Sequence, residues 1–101
     1  MAPTSDLVID LILSDRGGEF VLTRDGAVLG EMTWRWVSDG VIDILHTGIR
    51  PALQGQGQAR RLVLAGGEWA RGEGVTIVPD CPYARKVLTG GPAFADVLAA
   101  L

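Results

Sequence analysis

The chain has few of the groups that cross-link small proteins or carry metal chemistry. Its one cysteine, Cys81, cannot close an internal disulfide, and with one histidine, His46, it excludes a conventional thiolate and imidazole zinc site. No metal is expected. No stretch reaches the roughly 20 apolar residues of a membrane span, and Met1 to Asp6 lack the basic start and apolar core of a secretory signal. A cytoplasmic location is the expectation. Basic residues are outnumbered, nine against twelve acidic, and the formal charge of -3 disfavours broad attraction to nucleic acid or to an anionic membrane. Aromatics make up 6%, which singles out the three tryptophans, Trp34, Trp36 and Trp69. Internal repeats and long low-complexity segments are absent as well.

What the chain does have is apolar residues, at 48%. That is enough for a packed interior to offset an ordering cost on the order of 100 kcal/mol. A length of 101 residues suits one domain, 1–101, with one core. At this size much surface stays exposed, which a homodimer would cover.

Leu7 to Leu13 reads as an edge strand with a weak period, Ser14 to Gly18 as a turn, and Glu19 to Thr23 as a strand with Phe20 and Leu22 on one face. Asp25-Gly26 supplies the positive φ of a tight hairpin. From Ala27 to Val37, strict alternation puts Val28, Gly30, Met32, Trp34 and Trp36 on one face. From Val41 to Ile49 it groups Ile42, Ile44 and His46 against Asp43, Leu45, Thr47 and Ile49. These elements predict an antiparallel meander. After Pro51 the period changes, and from Ala59 Leu62, Val63, Gly66, Trp69 and Ala70 mark a helix ending near Gly72 or Gly74. Gly66 and Gly67 would either permit close packing or weaken that helix. Val75 to Val78 is a short strand ended by Pro79. Asp80 is a candidate cap for a second helix, with Pro82 in its first turn and Tyr83, Val87 and Leu88 buried. Gly90-Gly91-Pro92 breaks it, leaving Ala93 to Leu101 as a small terminal helix or strand.

The segment from His46 to Leu62 places a glycine-rich turn between a strand and the first turn of a helix. There the backbone N–H groups lack internal acceptors and the helix dipole favours an anion. Gly55 and Gly57 would let backbone approach a phosphate closely. Arg60 and Arg61 sit badly in a first turn unless an anion offsets them. No Gly-Lys-Ser/Thr follows, and the third glycine of a dinucleotide fingerprint is missing.

Gln54-Gly55-Gln56-Gly57-Gln58-Ala59, preceded by Ile49-Arg50-Pro51, resembles the pyrophosphate-binding signature of the Gcn5-related N-acetyltransferases. Together with Gly30 to Trp34, His46-Thr47, Ala70-Arg71 and Ile77 to Tyr83, it is similar to the very small single-domain branch of that superfamily over roughly residues 18 to 98. The resemblance implies an α+β fold: an antiparallel meander with a central strand splay, a short parallel pairing and two or three packed helices. It further implies acetyl-CoA as co-substrate. Backbone at Thr47, Gly48 and Ile49 would contact the pantetheine arm and thioester, and amides of Gln54, Gly55, Gln56, Gly57, Gln58, Ala59 and Arg60 would hold the pyrophosphate. Gln58 departs from the usual apolar residue, and Val87 and Gly91-Pro92-Ala93-Phe94 depart from the aromatic and His-Pro-Glu-Tyr of that branch.

Transfer of acetyl to a primary amine needs a positioned amine, an oxyanion donor and a proton for the leaving thiolate. Cys81, before a helix N-terminus, is a candidate acetyl carrier or proton donor, or else a small buried or pocket-lining hydrophobe. Tyr83 is a candidate proton donor or a packed ring. His46 is a candidate base or an orienting group for Thr47. Glu31 and Asp43 would attract or deprotonate an amine if they face the splay, and are otherwise solvated. The acceptor is an amine on a small molecule, a peptide terminus or a lysine. The alternative is a non-catalytic acyl-CoA-binding or protein-interaction module.

Overall fold

The computed structural model describes residues 7–99. The loose end read at Met1 to Asp6 and the last two residues of the terminal segment lie outside them. Strands β1 (Val8–Leu13), β2 (Gly17–Arg24), β3 (Ala27–Ser38), β4 (Val41–Ile49) and β5 (Thr76–Pro79) form one sheet in the order β1-β2-β3-β4-β5. The first four pair antiparallel, as the alternation predicts, and β5 lies parallel to β4. A 3-10 turn at Pro51–Leu53 leads into helix α1 (Gln58–Glu73) between β4 and β5. Helix α2 (Pro82–Thr89) and a 3-10 segment at Pro92–Val97 follow β5. The terminal segment is thus a 3-10 helix kinked at Phe94, after which Leu98 bridges to Ile77.

Helix α1 buries Leu62, Val63, Gly66, Gly67 and Ala70, close to the predicted stripe, and ends at Gly74, whose φ of 68° only glycine adopts without strain. The stripe covers Phe20, Leu22, Met32, Trp34, Ile42, Ile44 and Ile77, the apolar face of the sheet. Each fully buried aliphatic there contributes about 1.5–3 kcal/mol. Phe20, Trp34 and Trp69 meet ring to ring, with Trp69 5.0 Å from Trp34 and 5.9 Å from Phe20. Gly66 and Gly67 both permit close packing. A Cβ at Gly66 would lie 2.5 Å from Met32 Cε, and one at Gly67 2.4 Å from the Phe94 ring.

Three register shifts interrupt the pairing, one of them at Val37 beside the β3–β4 turn, and the other two change the face that a residue takes. Leu22 pairs with Gly30 but Thr23 with Val28, so Leu29 is an extra residue and Val28 leaves the apolar face, half exposed. Trp34 pairs with Ile44 but Thr33 with His46, so Leu45 is the extra residue in β4. Beyond it the phase reverses: Thr47 joins the Ile44 face, opposite Met32, and His46 moves to the other face. The expected grouping of Ile42, Ile44 and His46 is therefore corrected at His46.

Two expectations at α2 also change. Cys81, not Asp80, is the N-cap, with no side-chain cap bond. The Asp80 carboxyl interacts instead with Asp43 across the β4–β5 pair. The buried stripe is Cys81, Ala84 and Leu88, a spacing of three and four, which leaves Val87 at its margin and turns Tyr83 to the surface, 38% exposed.

Candidate active site

The pairing of β4 with β5 ends at Ile44 and Pro79, and the Cys81 N–H donates to Ile44 O at 2.9 Å just beyond it. Strand β4 runs on to Ile49, so among the described residues Leu45 to Ile49 have no strand neighbour on that side. This is the splay that the family resemblance implies. At its outer end Gly55 and Gly57 hold φ of 80° and 79°, and a Cβ on either would meet nothing within 4 Å. These glycines are required by backbone conformation and leave space in front of the loop. Gly57 is the N-cap of α1, and among the described residues no side chain caps the helix, which leaves its first-turn amides without a partner there.

Side chains fix the loop from within. Gln54 Nε2 donates to Ile49 O, Gln56 Nε2 to Ala52 O, and Arg50 Nε to Val28 O. Arg61 turns away to Gln58 Oε1 and Leu7 O. Arg60, by contrast, lines a cavity of about 170 Å³ with Lys86 beside the loop.

Ile49, Leu53, Gln54, Gly55, Gly57, Gln58, Ala59 and Tyr83 enclose a cavity of about 340 Å³ at the mouth of the splay. It brings together the glycine loop, the end of β4 and one of the three catalytic candidates. Larger hollows, of about 510 and 530 Å³, lie at the far ends of the hairpins around Trp36 and Val37. Neither contains a candidate nucleophile or a free helix N-terminus.

Cys81 lies inside, 5% exposed, its Sγ 3.5 Å from Thr47 Oγ1. Burial pushes the thiol up, but the Ala84 and Tyr83 amides and the Thr47 hydroxyl together hold it below its ordinary value. His46 faces the other way, mostly exposed, with Nε2 3.8 Å from Glu31 Oε1. The three catalytic candidates are thus not one cluster: Cys81 and Tyr83 lie on the helix side of the splay and His46 on the open side.

Asp43, expected in solvent, is 3% exposed, and its Oδ1 has no hydrogen-bond partner. Burial first, then the Asp80 carboxyl, holds its pKa above the usual carboxylate range, opposed by the Asp80 backbone N–H and, less, by Arg35 at 3.8 Å. No one-dimensional signal marks this pair, because a parallel crossover brings the two residues together. Among the described residues, no group of three or more His, Cys, Asp or Glu side chains is placed to hold a metal ion. Among them, too, no helix is long and apolar enough to cross a membrane.

A loop of open glycines and unsatisfied amides at the mouth of a gap between parallel strands defines a class of protein that seats a long phosphorylated ligand in its own sheet. Residues 19–97 match the family of GCN5-related N-acetyl-transferases, and the chain belongs to that family. A GCN5-like protein of Staphylococcus aureus, solved by NMR, is 27% identical and superposes with a TM-score of 0.69 over 100% of this chain and 93% of its own. An IAA acetyltransferase of Bacillus cereus is 18% identical, with a TM-score of 0.66 over 84% of this chain and 75% of its own. A GNAT-family N-acetyltransferase of Escherichia coli, crystallised with CoA, is 16% identical, with a TM-score of 0.67 over 84% and 69%. The last two share the fold. No curated protein sequence matches the chain. As a family member the chain is an acetyl-CoA-dependent N-acetyltransferase whose acceptor is an amine.

Proposed function

We propose that the chain works in the cytoplasm as a single 1–101 unit and acetylates a primary amine at the open side of the β4–β5 splay. Amides from Gln54 to Arg60 would hold the pyrophosphate of acetyl-CoA, and backbone at Thr47, Gly48 and Ile49 its pantetheine arm. The observation that carries this reading is the row of unsatisfied α1 amides behind two side-chain-free glycines at the mouth of the cavity.

Acetyl-CoA supplies an activated acyl carbon on a thioester. The incoming ammonium gives one proton to the His46 imidazole, whose ring faces the open side. The amine lone pair then forms the C–N bond as the C–S bond breaks, with its electron pair leaving on sulfur. Of the two protons the nitrogen loses, one is released to solvent, while a proton from Tyr83 O–H ends on the CoA sulfur and the second nitrogen proton restores the tyrosine. Cys81 and Thr47 form the inner wall.

Calorimetric titration with acetyl-CoA tests the assignment. Saturable binding is expected for the parent chain, with none for Gly57→Glu, which fills the space before the amides with a carboxylate. Circular dichroism would show that the variant is folded. Equal affinity in the two proteins would overturn the placement of the pyrophosphate.

A further inference from the structure

We propose that the uncovered face of the sheet is the acceptor-docking surface, and that its occupant is a basic polypeptide segment presenting a lysine amine beside Glu31 and His46. This rests on the acetyl-transfer reading above and names its acceptor class. Helices α1 and α2 and the 3-10 segment pack on one another and on the Ile42–Ile44 face. On the opposite face Val8, Ile12, Arg35, Leu45 and His46 remain exposed, with no described helix over them, while Val21 and Asp43 between them are buried.

The charge on that face is one-sided around the splay. Strand register lines up Asp10, Val21, Glu31 and Gly48 in one row, and Ile12, Glu19, Thr33 and His46 in the next. The two rows hold three carboxylates and no lysine or arginine. Asp10 and Glu19 make no ion pair among the described residues, and Glu31 pairs with His46 alone. Arg35, one row further, is turned onto Asp43.

Two strand spacings separate Asp10 from Glu31, about 10 Å, the distance covered by three residues of extended chain. A single small amine meets one of these carboxylates, whereas a basic segment meets several at once. Exposed Val8, Ile12 and Leu45 lie among them and offer apolar contact that a polyamine would not use. A second copy of this chain docked through the same face would set carboxylate against carboxylate about its two-fold axis.

The track ends at the splay. A Cβ at Gly48 would lie 2.9 Å from His46 Nε2 and 3.0 Å from Glu31 Oε1, so both side chains stand over the β4 backbone there. Glu31 draws the lysine ammonium in, and His46 takes its first proton.

The test uses the CoA-bound, isotope-labelled chain titrated with an N-terminally acetylated nonapeptide carrying three lysines, the same peptide with each lysine acetylated, and spermidine. The lysine peptide is expected to shift amides of Glu19, Glu31 and His46 and, with acetyl-CoA present, to be acetylated at lower KM than spermidine. The Asp10→Asn, Glu19→Gln double variant should raise the peptide KM about five- to tenfold, two exposed charge pairs' worth, with acetyl-CoA affinity unchanged. A lower KM for spermidine, equal binding of the acetyllysine peptide, or an unchanged KM in the double variant would overturn the proposal. Loss of acetyl-CoA binding alone would remove the transfer reading, while the peptide-induced shifts would still decide the docking surface.

Discussion

In the sequence Cys81, Tyr83 and His46 are three lone polar side chains on patterned elements, and the fold gives each a different surrounding. Tyr83 borders the cavity at the mouth of the splay, two residues beyond a buried Cys81. Tyr83→Phe is therefore expected to lower kcat about a hundredfold, within the usual range for a lost general acid, with acetyl-CoA affinity retained. Steady-state assay beside calorimetry separates the two, and a full kcat would place the proton donor elsewhere. Asp43 gives a second prediction. Its carboxyl holds a proton more tightly in the folded than in the unfolded chain, first because of burial and then because of Asp80. Stability is therefore greatest below the unfolded value of 3.8 and falls as pH rises through the raised folded value. Asp43→Asn should raise Tm near neutral pH, and the gain should vanish below the unfolded value. Thermal melts across pH check this, and a variant less stable at neutral pH would show that the Arg35 contact outweighs burial.

Among the elements, α1 shows how a poor helix sequence is kept by what it packs against. Gly66 and Gly67 cost the isolated helix about 1 kcal/mol each relative to alanine, yet a Cβ at either would collide with a neighbour. The neighbours differ in compliance: Met32 Cε is the free end of a flexible chain, while the Phe94 ring is rigid and lies under the Arg71 guanidinium. Gly66→Ala should fall within about 1 kcal/mol of the parent, and Gly67→Ala should destabilise by about 1–3 kcal/mol. Urea denaturation of both variants checks this, and equal midpoints would mean that Phe94 yields. The β4 bulge is the element-level feature that alternation could not show. One extra residue, Leu45, turns His46 outward and Thr47 inward toward Cys81. Nothing in the composition of Ile44-Leu45-His46-Thr47 marks it, since a bulge is set by pairing with a partner strand.

At the scale of the whole molecule, the thinnest dimension, 22 Å, corresponds to one sheet and one helical layer. The sequence by itself determined the meander, because an antiparallel sheet with one wet face writes its alternation into each strand. It determined α1 through its apolar stripe, and the turn before that helix through glycines whose positive φ is a local requirement. The family resemblance supplied the splay and the co-substrate. Tertiary structure decided what depends on residues far apart in the chain: the reversal of phase at Leu45, the exposure of Tyr83, the burial of Asp43 against Asp80, and the carboxylate rows from Asp10 to Glu31. A side chain's local pattern fixes the period of its element. Its solvation and its charge neighbours are set by strands and helices that pack against it from elsewhere in the chain, and the chemistry of the site depends on those two quantities.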